Sequence, residues 1–276
     1  MWYIIYIYIR RVMKYIFVIL LFFAGLGTPG VQKDTAFQKG EWFKFKMSYS
    51  GWLKAGEATL KIDEKVLKGK PVFHVVGKGK TTGLINAFFK VRDRYESYFD
   101  KNTGAPYKFI RKIDEGGHTK DIEINFNHQE QKAIVNNKKR KKVTTITTER
   151  DVQDMVSMYY YLRNNIDIDA LKEGDEIKTT MFFDEENYGF KLKYLGRESI
   201  KIEINGSRVK VKTLKFRPYV MAGRVFKEEE SLTLWVSSDK NKIPLKIKAD
   251  LAIGSLRADL EAFKGLKHSF QLEIDD

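Results

Sequence analysis

The chain has no cysteine, five prolines and four histidines in 276 residues. The first absence excludes a disulfide framework, a thiolate metal site and a lipid-modified cysteine, while saying nothing by itself about compartment. The histidines (His74, His118, His128 and His268) lack the i, i+4 spacing by which one helix face holds a metal, so no metal is expected. No Gly-x-Ser-x-Gly nucleophile elbow occurs, and Ser48 and Ser50 lie in a strand-like run rather than at a strand-to-helix turn. Gly77-Lys78-Gly79-Lys80 shares composition with a phosphate-cradling loop but not its strand–loop–helix spacing, and no cofactor is expected.

Carboxylates are plentiful, and glycoside hydrolysis asks only for two of them about 5 to 10 Å apart. Asp93 and Glu96 are three residues apart, so on a strand they point to opposite faces and cannot form one site. Asp184 and Glu185 read more simply as a solvated turn. No catalytic residue is assigned.

Long apolar runs are confined to the amino terminus. From Met13 the sequence has one lysine, an apolar run from Tyr15 to Ala24, then small residues to Gly27. This is the pattern of a secretory signal, and the run is about half of what a bilayer span needs. The preceding twelve residues extend the apolar character but are broken by Arg10 and Arg11. Two expectations stand: a cleaved signal over residues 1–27 with translation starting at Met13, or an uncleaved amino-terminal anchor. Either predicts export, with the periplasm as the expected compartment. Removing residues 1–27 takes three cations and no acid from a net charge of +14, which leaves about +11. Such a balance suits anionic partners such as a membrane surface, although lysine also simply solvates strand faces.

Beyond Gly27 the dominant period is two. Trp42 to Tyr49 alternates aromatic or apolar residues with lysine, and about a dozen such runs follow, ending with Leu256 to Phe263. Asn205-Gly206 between two alternating runs marks a hairpin. The exception is Arg150 to Asn164, where Val152, Met155, Val156, Tyr159 and Leu162 fall at helical spacing. The expected fold is mainly β: a large antiparallel curved sheet or barrel, with one central helix packed on it or plugging it. Exposed edges endanger so many strands, which favours closure or strong curvature. Residues 28–276 read as one β-rich domain; two lobes, about 37–149 and 170–276, are the alternative.

Two segments stand out as candidate contacts. Thr82 to Lys90 brings Leu84, Ile85, Phe88 and Phe89 together in a strand-poor interval, as an apolar lid or the rim of a cavity. Lys138, Lys139, Arg140, Lys141 and Lys142 form a basic hairpin loop. Export makes nucleic acid an untenable partner and an anionic membrane surface the expected one.

Phe45 to Leu60, with Ala55-Gly56-Glu57-Ala58 after an aromatic strand, resembles the opening signature of an exported bacterial family known as domain of unknown function 3108. The resemblance continues through Arg92-Asp93, Glu96-Ser97, Gln153-Asp154, Ser157, Tyr160 to Arg163, Trp235-Val236-Ser237, Asp239, Ile243-Pro244 and Gly254, so that it spans about Phe37 to Phe263. It implies an exported β-rich domain without an established activity. Gly56, Glu57, Asp93, Asp154, Ser157, Tyr161, Arg163, Trp235, Asp239 and Pro244 are then signature residues with structural roles. The functional expectation is non-catalytic binding or carrying of a lipid-like amphiphile in the cell envelope. The alternatives are a carboxylate-based hydrolase of envelope polysaccharide and a structural scaffold.

Overall fold

The computed structural model describes residues 35–221, 232–251 and 254–273. The expected signal or anchor, Met13 included, lies outside the described residues. The first half of the chain supplies β1 (Trp42–Tyr49), β2 (Leu53–Leu67), β3 (Lys70–Thr81), β4 (Val91–Asp100), β5 (Pro106–Glu115), β6 (His118–Asn127), β7 (Lys132–Asn137) and β8 (Lys142–Thr147). The second half supplies β9 (Glu176–Phe183), β10 (Glu186–Ile204), β11 (Ser207–Met221), β12 (Leu232–Ser237), β13 (Pro244–Asp250) and β14 (Ser255–Lys264). Two helices accompany them, α1 (Gly83–Phe88) and α2 (Met155–Asn165).

All fourteen strands form one antiparallel sheet in the order β8-β7-β6-β5-β4-β3-β2-β1-β14-β13-β12-β11-β10-β9. The first and last strands therefore meet in its middle, and its two edges are the strands that α2 connects. No ladder joins β8 to β9 among the described residues. Instead Gln153 bridges to the β9 edge, donating its N–H to the Thr180 carbonyl and accepting from the Phe182 N–H. The sheet is thus curved around its contents and sealed by the chain that leads into the helix.

Alternation decides what faces inward. On β1, Phe43, Phe45 and Met47 are buried in the common core while Lys44 and Lys46 face out. The outer wall carries opposite charges in register: Lys246, Asp259, Lys46, Glu57 and Lys80 are successive cross-strand partners on five neighbouring strands. Gly56 sits where β2 and β3 approach most closely. A Cβ there would collide with the Lys80 carbonyl, so only glycine fits. Strand β10 is a single 19-residue run, interrupted by a bulge between Tyr194 and Arg197 with Gly196 at φ +101. Beyond that bend the β10–β11 hairpin forms an arm over the outer wall: the Trp235 indole donates to Glu198, and the Asn205 N–H to the Glu261 carbonyl.

Helix α2 begins at Asp154, whose carboxylate accepts the N–H groups of Val156 and Ser157 at 2.7 and 2.8 Å. The Ser157 hydroxyl returns the contact to the Asp154 N–H at 3.0 Å. Ser97 on β4 donates its hydroxyl to the same carboxylate at 2.6 Å, tying the helix start to the wall. The heptad-like stripe of the sequence predicts one buried face, yet Met155 through Tyr160, Leu162 and Arg163 are all buried. The helix lies inside the curved sheet, so Met158 and Tyr160, off the stripe, are enclosed as well. Tyr160 packs on Phe37 and Phe99, while Tyr161, beside Gly104, is half-buried, as are Asn164 and Asn165 at the helix end.

Arg163 ends this helix in full burial and uses its whole guanidinium. Nη1 and Nη2 make a two-pronged pair with Glu41 at 2.5 and 2.7 Å; Nε donates to the Asn241 carbonyl and Nη2 to the Ala36 carbonyl. The rings of Phe37, Phe43, Tyr159 and Tyr160 lie 5.2–5.6 Å from its central carbon. Burial pushes the Glu41 carboxyl up, against the downward pull of Arg163, whereas the arginine stays charged. Lys242 then closes the helix end, donating to the Arg163 and Ile166 carbonyls.

Two outcomes follow from this geometry. Arg163→Met should cost about 3–5 kcal/mol in urea unfolding, because it strands a buried Glu41; Arg163→Met combined with Glu41→Leu should be the more stable of the two variants. Asp154 is fully buried, and desolvation raises its pKa to about 6. The native state then holds a proton that the unfolded chain releases near its ordinary pKa of 3.8, so stability falls as pH rises from about 4 to 6 and is flat above. Asp154→Asn keeps the cap geometry without the titration. The stability difference between wild type and this variant should therefore change by roughly 3 kcal/mol across that window and not outside it.

Candidate functional site

Strands β1 to β8 form an up-and-down meander, so the β1–β2 turn, α1, the β5–β6 turn and the β7–β8 turn share one rim of the barrel. The expected apolar lid is here, and its four residues divide. Phe89 is buried, its ring against Gly116, where a side chain would collide with it. Ile85 is half-buried, while Leu84 and Phe88 are 70% and 77% exposed. Thr81 fixes the helix from below, its hydroxyl donating to the Phe89 carbonyl and accepting from the Val91 N–H. One rim residue escaped the sequence reading: Trp52, in the β1–β2 turn, is 78% exposed.

The basic run sits on the same rim. All five side chains from Lys138 to Lys142 are exposed. Lys138 pairs with Glu123 at 2.9 Å and Lys139 donates to the Thr119 hydroxyl; Arg140, Lys141 and Lys142 project beyond them. Glu123, between Lys108 and Lys138, has its pKa drawn down to about 2, with those hydrogen bonds and charges outweighing desolvation. Lys54, Lys90 and Arg92 add exposed cations near α1.

Behind the rim the core is one cluster that includes Met155, Met158, Tyr159 and Tyr160 of α2 together with residues of β4 and β9. Two depressions lie on the outer wall. Asp93 and Glu96 do face opposite ways. Glu96 is on the outside with His74 at 2.7 Å and Arg94 at 2.8 Å, and burial lowers the pKa of that histidine. Asp93 faces in with Tyr95, Arg111 and Glu115, all buried in the wall rather than opened to a cleft. Asp184 is held by Arg111 and Lys120 and Glu57 by Lys80, both in ion pairs.

The later signature residues build one turn. Asp239 accepts from the Ser237 hydroxyl and from the N–H groups of Asn241 and Lys242, with its second oxygen on Gln271. Ser237 in turn accepts from Ile243, and Pro244 opens β13 opposite Val236. This turn presents the Asn241 carbonyl and the Lys242 amine to Arg163. Ser97 entered the sequence reading only within the Glu96-Ser97 part of the resemblance, and Glu41, Asn241 and Lys242 were not singled out as site residues, since isolated polar residues at strand ends and turns carry no periodic signal. Trp235 faces outward between Lys215 and Lys246.

The profile of the family described as protein of unknown function (DUF3108) matches residues 44–261. The chain belongs to the DUF3108 family. No curated protein matches it. Its fold is shared with a β-barrel-like protein of the DUF1849 family from Brucella abortus, at 10% identity and a TM-score of 0.55, over 84% of this chain and 99% of that one. Two further structures align more loosely, each at a TM-score of 0.32. One is a Bacteroides fragilis protein of YmcC-like fold provisionally assigned as exported, with 9% identity over 88% of this chain and 99% of that one. The other is a Parabacteroides distasonis protein provisionally assigned as a lipoprotein, with 12% identity over 85% of this chain and all of that one. Of the residues that carried the resemblance, Asp154, Ser157, Tyr161 and Arg163 lie in α2 and its cap, Asp239 and Pro244 in the β12–β13 turn region, and Gly56, Glu57, Asp93 and Trp235 in the wall strands.

Proposed function

We propose that this DUF3108 protein is exported to the periplasm and acts without catalysis, meeting lipid-like amphiphiles at an anionic membrane surface through the rim rather than inside the barrel. The observation that carries this reading is the exposure of Trp52, Leu84 and Phe88 on one rim beside the five consecutive cations from Lys138 to Lys142. An amphipathic tryptophan and two apolar side chains suit the interfacial layer of a bilayer, and each nearby cation adds about 1 kcal/mol on an anionic leaflet. Export rests on the basic-then-apolar pattern of residues 13–27. The burial of α2 among the core side chains favours surface contact over ferrying a ligand in a cavity. Two buried carboxylates without a cleft give the hydrolase reading no working geometry.

Co-sedimentation with vesicles of phosphatidylglycerol and phosphatidylcholine tests it. Wild type should partition onto the anionic vesicles and not onto pure phosphatidylcholine. Trp52→Ala/Leu84→Ala/Phe88→Ala should weaken binding at least about tenfold, and Arg140→Gln/Lys141→Gln/Lys142→Gln about a hundredfold at low salt. Equal binding by the apolar triple variant, or no binding by wild type, would overturn the proposal.

A further inference from the structure

The arm that β10 and β11 lay across the outer wall leaves a groove beneath it, which reaches Gly51 in the β1–β2 turn and is separated in the sheet order from the basic β7–β8 turn by strands β2 to β6. Two depressions of about 310 and 330 Å³ lie end to end there, sharing Lys246 and Arg257. Each is of the size that holds a whole small molecule. One wall of the groove is the arm, from Glu198 to Gly206; the other is the outer face of β12, β13, β14 and β1.

Its charges do not balance. Asp259 is shared by Lys246 at 3.9 Å and Arg257 at 3.4 Å, so one carboxylate serves two cations. Glu261 is engaged by Lys44 at 3.0 Å, and Glu198 by Lys215 at 3.6 Å and the Trp235 indole. Among the described residues neither Lys46 nor Lys201 has an acid within ion-pair distance, although both line the groove. Glu203, the remaining acid of the lining, is exposed and sits opposite Arg208 in the hairpin ladder. Lys246 is half-buried, with its ammonium 5.8 Å from the Trp235 ring centre, and desolvation pulls its pKa down. An ammonium deprived of water in this way gains from an arriving anion.

We infer that this groove is a binding site for a phosphomonoester, with Lys46, Lys201, Lys246 and Arg257 around the phosphate and the rest of the molecule lying along the arm. Three amines and a guanidinium approaching from two walls suit a compact, doubly charged tetrahedral anion better than a planar carboxylate. A sugar phosphate and the headgroup of phosphatidic acid share this chemistry, and the experiment separates them.

Isothermal titration at low salt with glucose 1-phosphate should show binding that glucose does not. Lys46→Gln/Lys201→Gln should weaken it at least tenfold, while Arg140→Gln/Lys141→Gln, the same loss of charge on the β7–β8 turn, should leave it within twofold. A parallel titration with phosphatidic acid vesicles uses the Leu84→Ala/Phe88→Ala/Arg140→Gln/Lys141→Gln/Lys142→Gln background, which removes the apolar and basic rim contacts that lie away from the groove. Binding there that depends on Lys46 and Lys201, without binding of glucose 1-phosphate, supports the site with a lipid-borne phosphate. Equal weakening by the two glutamine pairs, equal binding of glucose, or no binding in either titration would overturn the inference.

Discussion

A single guanidinium, buried inside a barrel, sets the terms for the rest of this molecule. Arg163 cannot be left in a dry interior without partners, and a lone ionic contact would not offset its desolvation. The chain answers with Glu41, two backbone carbonyls and a cage of four aromatic rings. Those partners come from the segment before β1, from the β12–β13 turn and from the helix itself. One side chain therefore fastens together the start, the middle and the end of the sequence. The opposite helix end is fastened as firmly, with Asp154 accepting from its own helix and from Ser97 on the wall.

This arrangement bears directly on function. A barrel with a removable lid and an empty interior would offer a cavity to a ligand. Here the interior is taken up by a helix whose two ends are both bonded to the wall. The outside carries a rim on which Trp52, Leu84 and Phe88 are exposed, and a wall of alternating charges crossed by the β10–β11 arm. The same alternation that drives Phe43, Phe45 and Met47 inward places Lys44 and Lys46 on that outer wall. Core and surface are thus two consequences of one sequence period.

Much of this was legible in the sequence, and the exceptions have physical causes. Strand β1, the Asn205-Gly206 hairpin and the helix follow from period, turn chemistry and spacing. Strand β5 carries no clear apolar period, because its inward positions alternate Phe109 and Ile113 with Arg111 and Glu115. Strand β10 reads from sequence as two short alternating runs, because Gly196 breaks the alternation at a bulge that the hairpin crosses without ending. The helix read as amphipathic because a stripe at helical spacing does not reveal that the sheet wraps around the other side. The socket for Arg163 was invisible for a further reason: Glu41 and Asn241 are 200 residues apart in sequence, and only the neighbouring of β1 with β14 brings them together. At the rim, Leu84, Ile85, Phe88 and Phe89 were identified as a group, yet which of them face solvent depends on Gly116, on a different hairpin.

The claim on which the account turns is that α2 is an integral part of the core rather than a movable plug. Native-state hydrogen exchange of the amides from Met158 to Leu162, followed across low concentrations of urea, measures this directly. The account predicts that these amides exchange only through global unfolding, with the same free energy and urea dependence as the amides of β1 and β14. Exchange through an opening several kcal/mol cheaper, with the strands still protected, would mean that the helix leaves while the barrel stands, and would contradict it.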